Sequence, residues 1–263
     1  MPATLAHYIF GQNCLKALPE DLANQIRKNI DYYDFGVHGP DIFFYYKPLK
    51  SNDINKYGSF IHHQPSHVLF SKFAKAYQSS ERKDEALAYA MGFLTHFCLD
   101  STAHKYIEEE RKALGISHNK LESEYEAHLI RGMGKKPTAY DRSKVLSYSD
   151  DIAKLVTEFF DFDYETIRSC LKSQVTSIKL YYSPTGIKRK FLLALLSLLN
   201  GNSDFADLFT CNSEDKRCVK TNRQLDVFME QSLAKFVSSY QNYLDFLRGK
   251  ADYLDQTFAD DFG

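Results

Sequence analysis

ALAYAMGFLTHFCLDSTAHKYIEEERKALGISHNKLESEYE, residues 86–126, decides how this chain folds. His96, Asp100 and His104 follow one another at intervals of four, and beyond the LGIS break His118 and Glu122 are again four apart. Positions i and i+4 of an α-helix stack on one face. The first part therefore carries a column of three ligand-type side chains, and the second a pair. Imidazole and carboxylate together suit zinc or another first-row divalent ion. The approach to His96 is apolar or small from Ala86 to Leu94, broken only by Tyr89, with Thr95 following. A helix apolar on nearly every side is a buried helix, and a carboxylate buried in it requires a cation or several donors. Gly92, one turn before His96, costs helix stability and leaves room for another backbone or a ligand to come close. Any one of these polar residues alone reads as a satisfied core side chain. Three on one stripe, with a His/Glu pair on the next helix, read as a metal site.

The composition supports a helical, enzyme-sized core. The chain has 263 residues, 44% of them hydrophobic, which is enough for one large domain or two small ones. Only 12 Gly and 7 Pro occur, too few for a turn-rich β fold. With 33 basic and 34 acidic residues, the net charge of -1 gives no electrostatic basis for bulk nucleic-acid binding. The opening MPATLAHYIFGQ lacks the basic and apolar regions of a signal peptide. The strongest apolar run, FLLALLSLL at 191–199, is too short to span a bilayer. Five cysteines, an odd number, do not form a disulfide framework and point to a reducing cytoplasm, although Cys211 and Cys218 stand close enough for a local bridge.

Taken in order, His7 lies among small and apolar residues and on local grounds reads as structural. Leu22, Ile26 and Ile30 predict a helix over 20–33. Residues 35–48 are punctuated by Gly36, Gly39, Pro40 and Pro48 and read as a loop. There Asp41, between a Gly-Pro turn and the apolar IFFYY, reads as a helix N-cap or as a ligand on a rigid turn. His62, His63 and His67 surround Pro65, so one or two of them at most should be ligands, and Ser66 is placed to cap a helix over 67–78. The central helix should run over 82–112 with Gly115 beyond its end. Ser117 should cap the next helix, over 118–132. Helices follow over 148–160, 164–182, 187–199 and 222–248, with a turn at 183–186, a loop at 200–203 and an irregular stretch over 204–220. The acidic tail over 250–263 is expected to fray. All nine histidines lie at or before His128, which divides the chain into a metal-binding core, 1–136, and a helical region packed on it, 137–263.

Five pieces carry a resemblance: LAHYIFG at 5–11, GPDIFFYY at 39–46, YGSFIH at 57–62, AYAMGFLTHFCLDSTAH at 88–104 and HNKLESEYE at 118–126. In this order they resemble the zinc-dependent phospholipase C family and, distantly, the S1/P1 nucleases. The His-x-x-x-Asp-x-x-x-His spacing is closest to bacterial members without secretion signals. The resemblance implies an all-α fold with a metal cluster in a cleft. It implies that His62, His96 and Asp100 hold one zinc, that His104, His118 and Glu122 hold a second, and that His7 and Asp41 face a third. Asp100 would bridge two ions and Asp41 would be the general base. His62 is preferred to His63, and His38, His63, His67 and His128 are left out of the ligand set.

The expected activity is a metal-dependent phosphoesterase acting on a phosphate-ester small molecule or lipid head group. Its ions would be zinc, two or three of them, with iron or manganese as substitutes. The alternative is a non-catalytic, metal-stabilised binding module, in which the 191–199 run and the 222–248 helix face a partner or a membrane rather than the core. Other classes are excluded: the chain has no His-Asp dyad, no HExxH, no Glu-x-x-His, no Walker A loop and no G-x-S-x-G elbow.

Overall fold

The computed structural model describes residues 4–48, 50–198 and 206–263, and among them the chain is helical with no strand. In order run α1 (Thr4–Ala17), α2 (Glu20–Arg27), α3 (Ile30–Gly36), a 3-10 turn (Gly39–Tyr45), α4 (Asp53–His62), α5 (Ser66–Ser79) and α6 (Lys83–Leu114). Then come α7 (His118–Gly132), α8 (Asp150–Thr157), α9 (Tyr164–Tyr181), α10 (Ile187–Leu198) and α11 (Val219–Leu247). The loop expected at 200–203 lies outside the described residues.

The apolar approach to His96 makes α6 the axis. Every residue from Ala86 to Asp100 is buried, and α1, α3, α5 and α11 pack around them. Asp84 and Glu85 in the first turn and Arg111 and Lys112 in the last complement the helix dipole. The helix stops at Gly115, φ 64°, where the Ile116 N–H donates to the Arg111 carbonyl at 3.1 Å. This left-handed cap is the Schellman arrangement. Ser117 Oγ accepts the Lys120 N–H at 3.0 Å and starts α7, so His118 opens the new helix. With no Trp available, phenylalanines fill the core edge to face, as Phe70 does on Tyr243 (4.8 Å) and Phe73 on Phe159 (4.8 Å).

Gly92 admits a backbone. A Cβ on it would sit 2.2 Å from the Tyr33 carbonyl oxygen, and one on Gly36 would sit 2.3 Å from the Tyr89 carbonyl oxygen. The two glycines let α3 and α6 cross at backbone contact. The expected 20–33 helix is interrupted at Lys28 and Asn29, and the new start at Ile30 directs Tyr33 and Gly36 onto α6.

Other expectations are corrected by tertiary contacts. Residues 39–45 form a buried 3-10 turn, not a loop, because Ile42 and Phe43 enter the core. Residues 53–62, not expected to be helical, form α4 because Asn52 caps it, accepting from the N–H groups of Ile54 and Asn55. Ser66 begins α5 without capping it; its hydroxyl donates to the Phe258 carbonyl at 3.1 Å, and its N–H to the Asp260 carbonyl at 2.8 Å. Those bonds belong to a tail that does not fray, because Phe258 and Phe262 are both fully buried in the aromatic core. Cys211 and Cys218 are not bridged; all five cysteines are free thiols.

Helix propensity alone would make Gly92→Ala stabilising by about 1 kcal/mol. Overpacking at a backbone crossing costs about 1–3 kcal/mol and should win. Thermal denaturation followed by circular dichroism is expected to show a melting temperature lowered by about 2–6 °C. A rise would mean that the α3–α6 crossing relaxes freely.

Candidate metal centre

Four elements bring two groups of ligand-type side chains together. Asp41 from the 3-10 turn, His62 from the end of α4, and His96 and Asp100 from α6 form the first; their nearest ligand atoms all lie within 4.8 Å of one another. His104 from α6 with His118 and Glu122 from α7 forms the second, within the same limit. Asp100 stands between them. Its Oδ2 lies 2.9 Å from His96 Nε2 and 3.9 Å from His62 Nε2, while its Oδ1 lies 3.2 Å from His7 Nε2 and 3.4 Å from His104 Nε2.

The rings are aimed by their outer nitrogens. His62 Nδ1 lies 2.7 Å from the Gly58 carbonyl, and His96 Nδ1 lies 3.3 Å from the Val37 carbonyl. A carbonyl only accepts, so each Nδ1 carries the hydrogen and, in a neutral ring, Nε2 presents its lone pair to the cluster. Glu108 Oε1 does the same for His118 Nδ1 at 2.8 Å, with His118 Nε2 2.9 Å from Glu122 Oε1. Gly39, at φ 50°, closes the back of the site: a Cβ there would sit 2.3 Å from the His96 ring. The tail reaches the same place. The Phe262 N–H donates to the His62 carbonyl at 3.0 Å, the Phe262 ring lies 6.2 Å from that of His96, and Gly263 lies against His104.

This donor set fits a divalent cation. Three carboxylates, Asp41, Asp100 and Glu122, are buried together, which without positive charge is prohibitively costly. His96 Nε2 and Asp100 Oδ2 are 2.9 Å apart, yet neither has a hydrogen-bond partner among the described residues, and Glu122 Oε2 also lacks one there. With Nδ1–H of His62 committed to a carbonyl, the 3.2 Å approach of Nε2 to Asp41 Oδ1 needs a second proton or a cation.

The electrostatics agree. Burial alone would raise the Asp100 carboxyl, but His104, His96 and His7 outweigh it and hold it well below the usual carboxylate range. Burial would lower the His104 imidazolium, but Asp100, with Glu122 and Asp41, pushes it up to about 9. A proton on His104 thus stands where a cation would. Beside the second group lies a cavity of about 30 Å³, lined by His7, Asp100, His104 and Glu122 together with Leu99, Ile107 and Leu225. That is room for roughly two waters.

The structure places all eight sequence-proposed residues in or beside the two groups: Asp41 stands against His62 in the first, and His7 lies beside Asp100. His7 stacks on His96, ring centroids 4.2 Å apart, and its Nε2 lies 3.2 Å from Asp100 Oδ1. His63 and His67 face solvent, and His128 pairs with Asp226 on the surface. His38 is buried beside the site, and burial, with His7 and His96 nearby, lowers it to about 3, so it is neutral at any ordinary pH. Glu108 was missed. Its signal was present, because it is the next member of the column His96, Asp100, His104, four residues on.

The sequence profile described as zinc dependent phospholipase C matches residues 6–174. The chain belongs to the zinc-dependent phospholipase C family. All eight residues lie inside the matched segment, and the two buried groups are of a kind that could hold a metal ion. No curated protein and no solved structure matches the chain.

If Glu108 aims His118, Glu108→Ala should weaken zinc uptake at the second group by about 10–100-fold, while Glu108→Gln, which still accepts from Nδ1–H, keeps most of it. Competition with a chromophoric chelator measures both. Equal affinities in wild type and Glu108→Ala would remove Glu108 from the site.

Proposed function

We propose that this phospholipase C-family chain is a metal-dependent phosphoesterase. The observation that carries the reading is Asp100, whose two oxygens face two separate His/carboxylate groups. Asp41, His62, His96 and Asp100 would hold one ion, and His104, His118 and Glu122 a second, with His7 on the Asp100 side of both. Zinc is the family's metal, with iron or manganese as substitutes for the same donors. Such ions polarise a phosphoryl oxygen and acidify water.

The chain's own residues supply the rest. The second group borders the cavity, so the scissile ester would approach on that side, beside His104 and Glu122. Asp41, whose Oδ1 lies 3.2 Å from His62 Nε2 in the first group, would orient the attacking water. The substrate would be a phosphate-ester small molecule or a lipid head group. Five free thiols support a cytoplasmic location; no described helix is long and apolar enough to cross a membrane.

A metal-stabilised binding module is favoured by one feature: the first group is as buried as a closed structural site. The two readings part on one experiment. Metal content by elemental analysis is measured beside hydrolysis of bis-p-nitrophenyl phosphate and p-nitrophenylphosphorylcholine, for wild type and Asp100→Asn. The phosphoesterase reading expects at least two equivalents of metal per chain and a hydrolysis rate at least 100-fold lower in Asp100→Asn. Metal-loaded wild type without hydrolysis of either ester favours the module, and full activity in Asp100→Asn sinks the enzyme reading.

The His104 proton adds a pH dependence. A metal ligand must be the neutral ring, so below about 9 zinc has to expel that proton. Zinc affinity at the second group should therefore rise from pH 7 to 9 and then level off, as measured by chelator competition. A flat profile would exclude His104 as a ligand.

A further inference from the structure

The apolar run over 187–195 is not consumed by the core. The inner side of α10 is: Leu192 and Leu193 pack against the buried cluster of Tyr45, Ile178, Tyr181, Leu208 and Phe209. The outer side carries Ile187, Phe191 and Leu195, which are 72%, 67% and 41% exposed. At about 100° per residue these three span an arc of about 80°, with Lys190 about 60° beyond one edge and Lys188 about 20° beyond the other. Both lysines are exposed. The Lys188 ammonium donates to the Lys179 carbonyl at 2.9 Å, which brings the end of α9, with exposed Leu180, to the same place. Arg189 faces inward and contacts Cys211.

Charge identifies the occupant. Residues 166–203 contain six basic residues, Arg168, Lys172, Lys179, Lys188, Arg189 and Lys190, and no Asp or Glu, in a chain whose net charge is -1. An apolar stripe edged on both sides by lysines, on a helix too short to span a bilayer, is the pattern of a helix lying in a membrane interface. The apolar residues enter the acyl boundary and the lysines meet anionic head groups. A protein groove would present mixed charge and would not require a segment cleared of every acid.

We propose that α10, with the end of α9, is a docking surface for an anionic lipid bilayer. The surface is anchored on Tyr45, in the same 3-10 turn that carries Asp41, so docking holds the phosphoesterase domain at the membrane. The proposal does not rest on catalysis, since docking is read without a reaction.

The test is flotation of the full chain with 100 nm vesicles of phosphatidylcholine alone or with three parts in ten phosphatidylglycerol. Wild type is expected to bind the anionic vesicles at least tenfold more than the neutral ones, and less in 0.5 M salt than in 0.05 M. Ile187→Glu/Phe191→Glu and Lys188→Glu/Lys190→Glu should each lose at least tenfold, while Asp100→Asn binds as wild type does. The chain has no Trp, so Phe191→Trp gives a single reporter whose emission should shift to the blue on anionic vesicles. Wild type that does not float, Ile187→Glu/Phe191→Glu binding unchanged, or an emission spectrum of the Phe191→Trp variant unmoved by vesicles overturns the proposal. So does a wild-type dimer in light scattering that Ile187→Glu/Phe191→Glu dissociates, since a second copy would then cover the stripe.

Discussion

The Asp100 carboxylate is buried in the middle of α6, on a helix with fifteen consecutive buried residues ending at it. An isolated charge there would cost more than a domain's whole net stability. The surroundings answer that one requirement. Four imidazoles from three helices, those of His7, His62, His96 and His104, point Nε2 at its two oxygens. Each helix must be held at the angle and depth that this convergence needs. The glycine crossing of α3 and α6 delivers the 3-10 turn with Asp41, and the Schellman stop at Gly115 with the Ser117 cap returns α7 with His118 and Glu122.

The two groups differ in access. The first is sealed by Gly39, Phe262 and the aromatic core. The second, with His118 partly exposed on the Glu108 side and a cavity beside His104, is open. The residues orienting the rings are mostly backbone carbonyls, which no side-chain substitution removes; Glu108 is the side-chain exception.

The second half of the chain is not merely scaffold. Its tail returns across the whole fold to bond the His62 carbonyl and to lie on His104, so the geometry of the centre depends on residues 258–263 as well as on the first 122. Its α10 packs only one side of an apolar helix and leaves the other to solvent.

The sequence by itself determined what is local. The four-residue spacing of His96, Asp100 and His104, the Gly115 stop, the Ser117 cap and the His118/Glu122 pair are periodic or capping features, and helix geometry converts each directly into a position. Composition likewise determined the all-helical class. Only the tertiary structure decided what depends on distant contacts. Asp41 meets His62 because the turn at Gly39 packs under His96. The His62 ring, rather than that of His63, faces the centre because α4 docks on that side. The tail is ordered because Phe258 and Phe262 find space among Phe70, Phe93 and Phe97. Gly92 meets a backbone and not a ligand because Gly36 arrives opposite it. Each of these is set by which surfaces meet across tens of residues, and no periodicity within one helix encodes that.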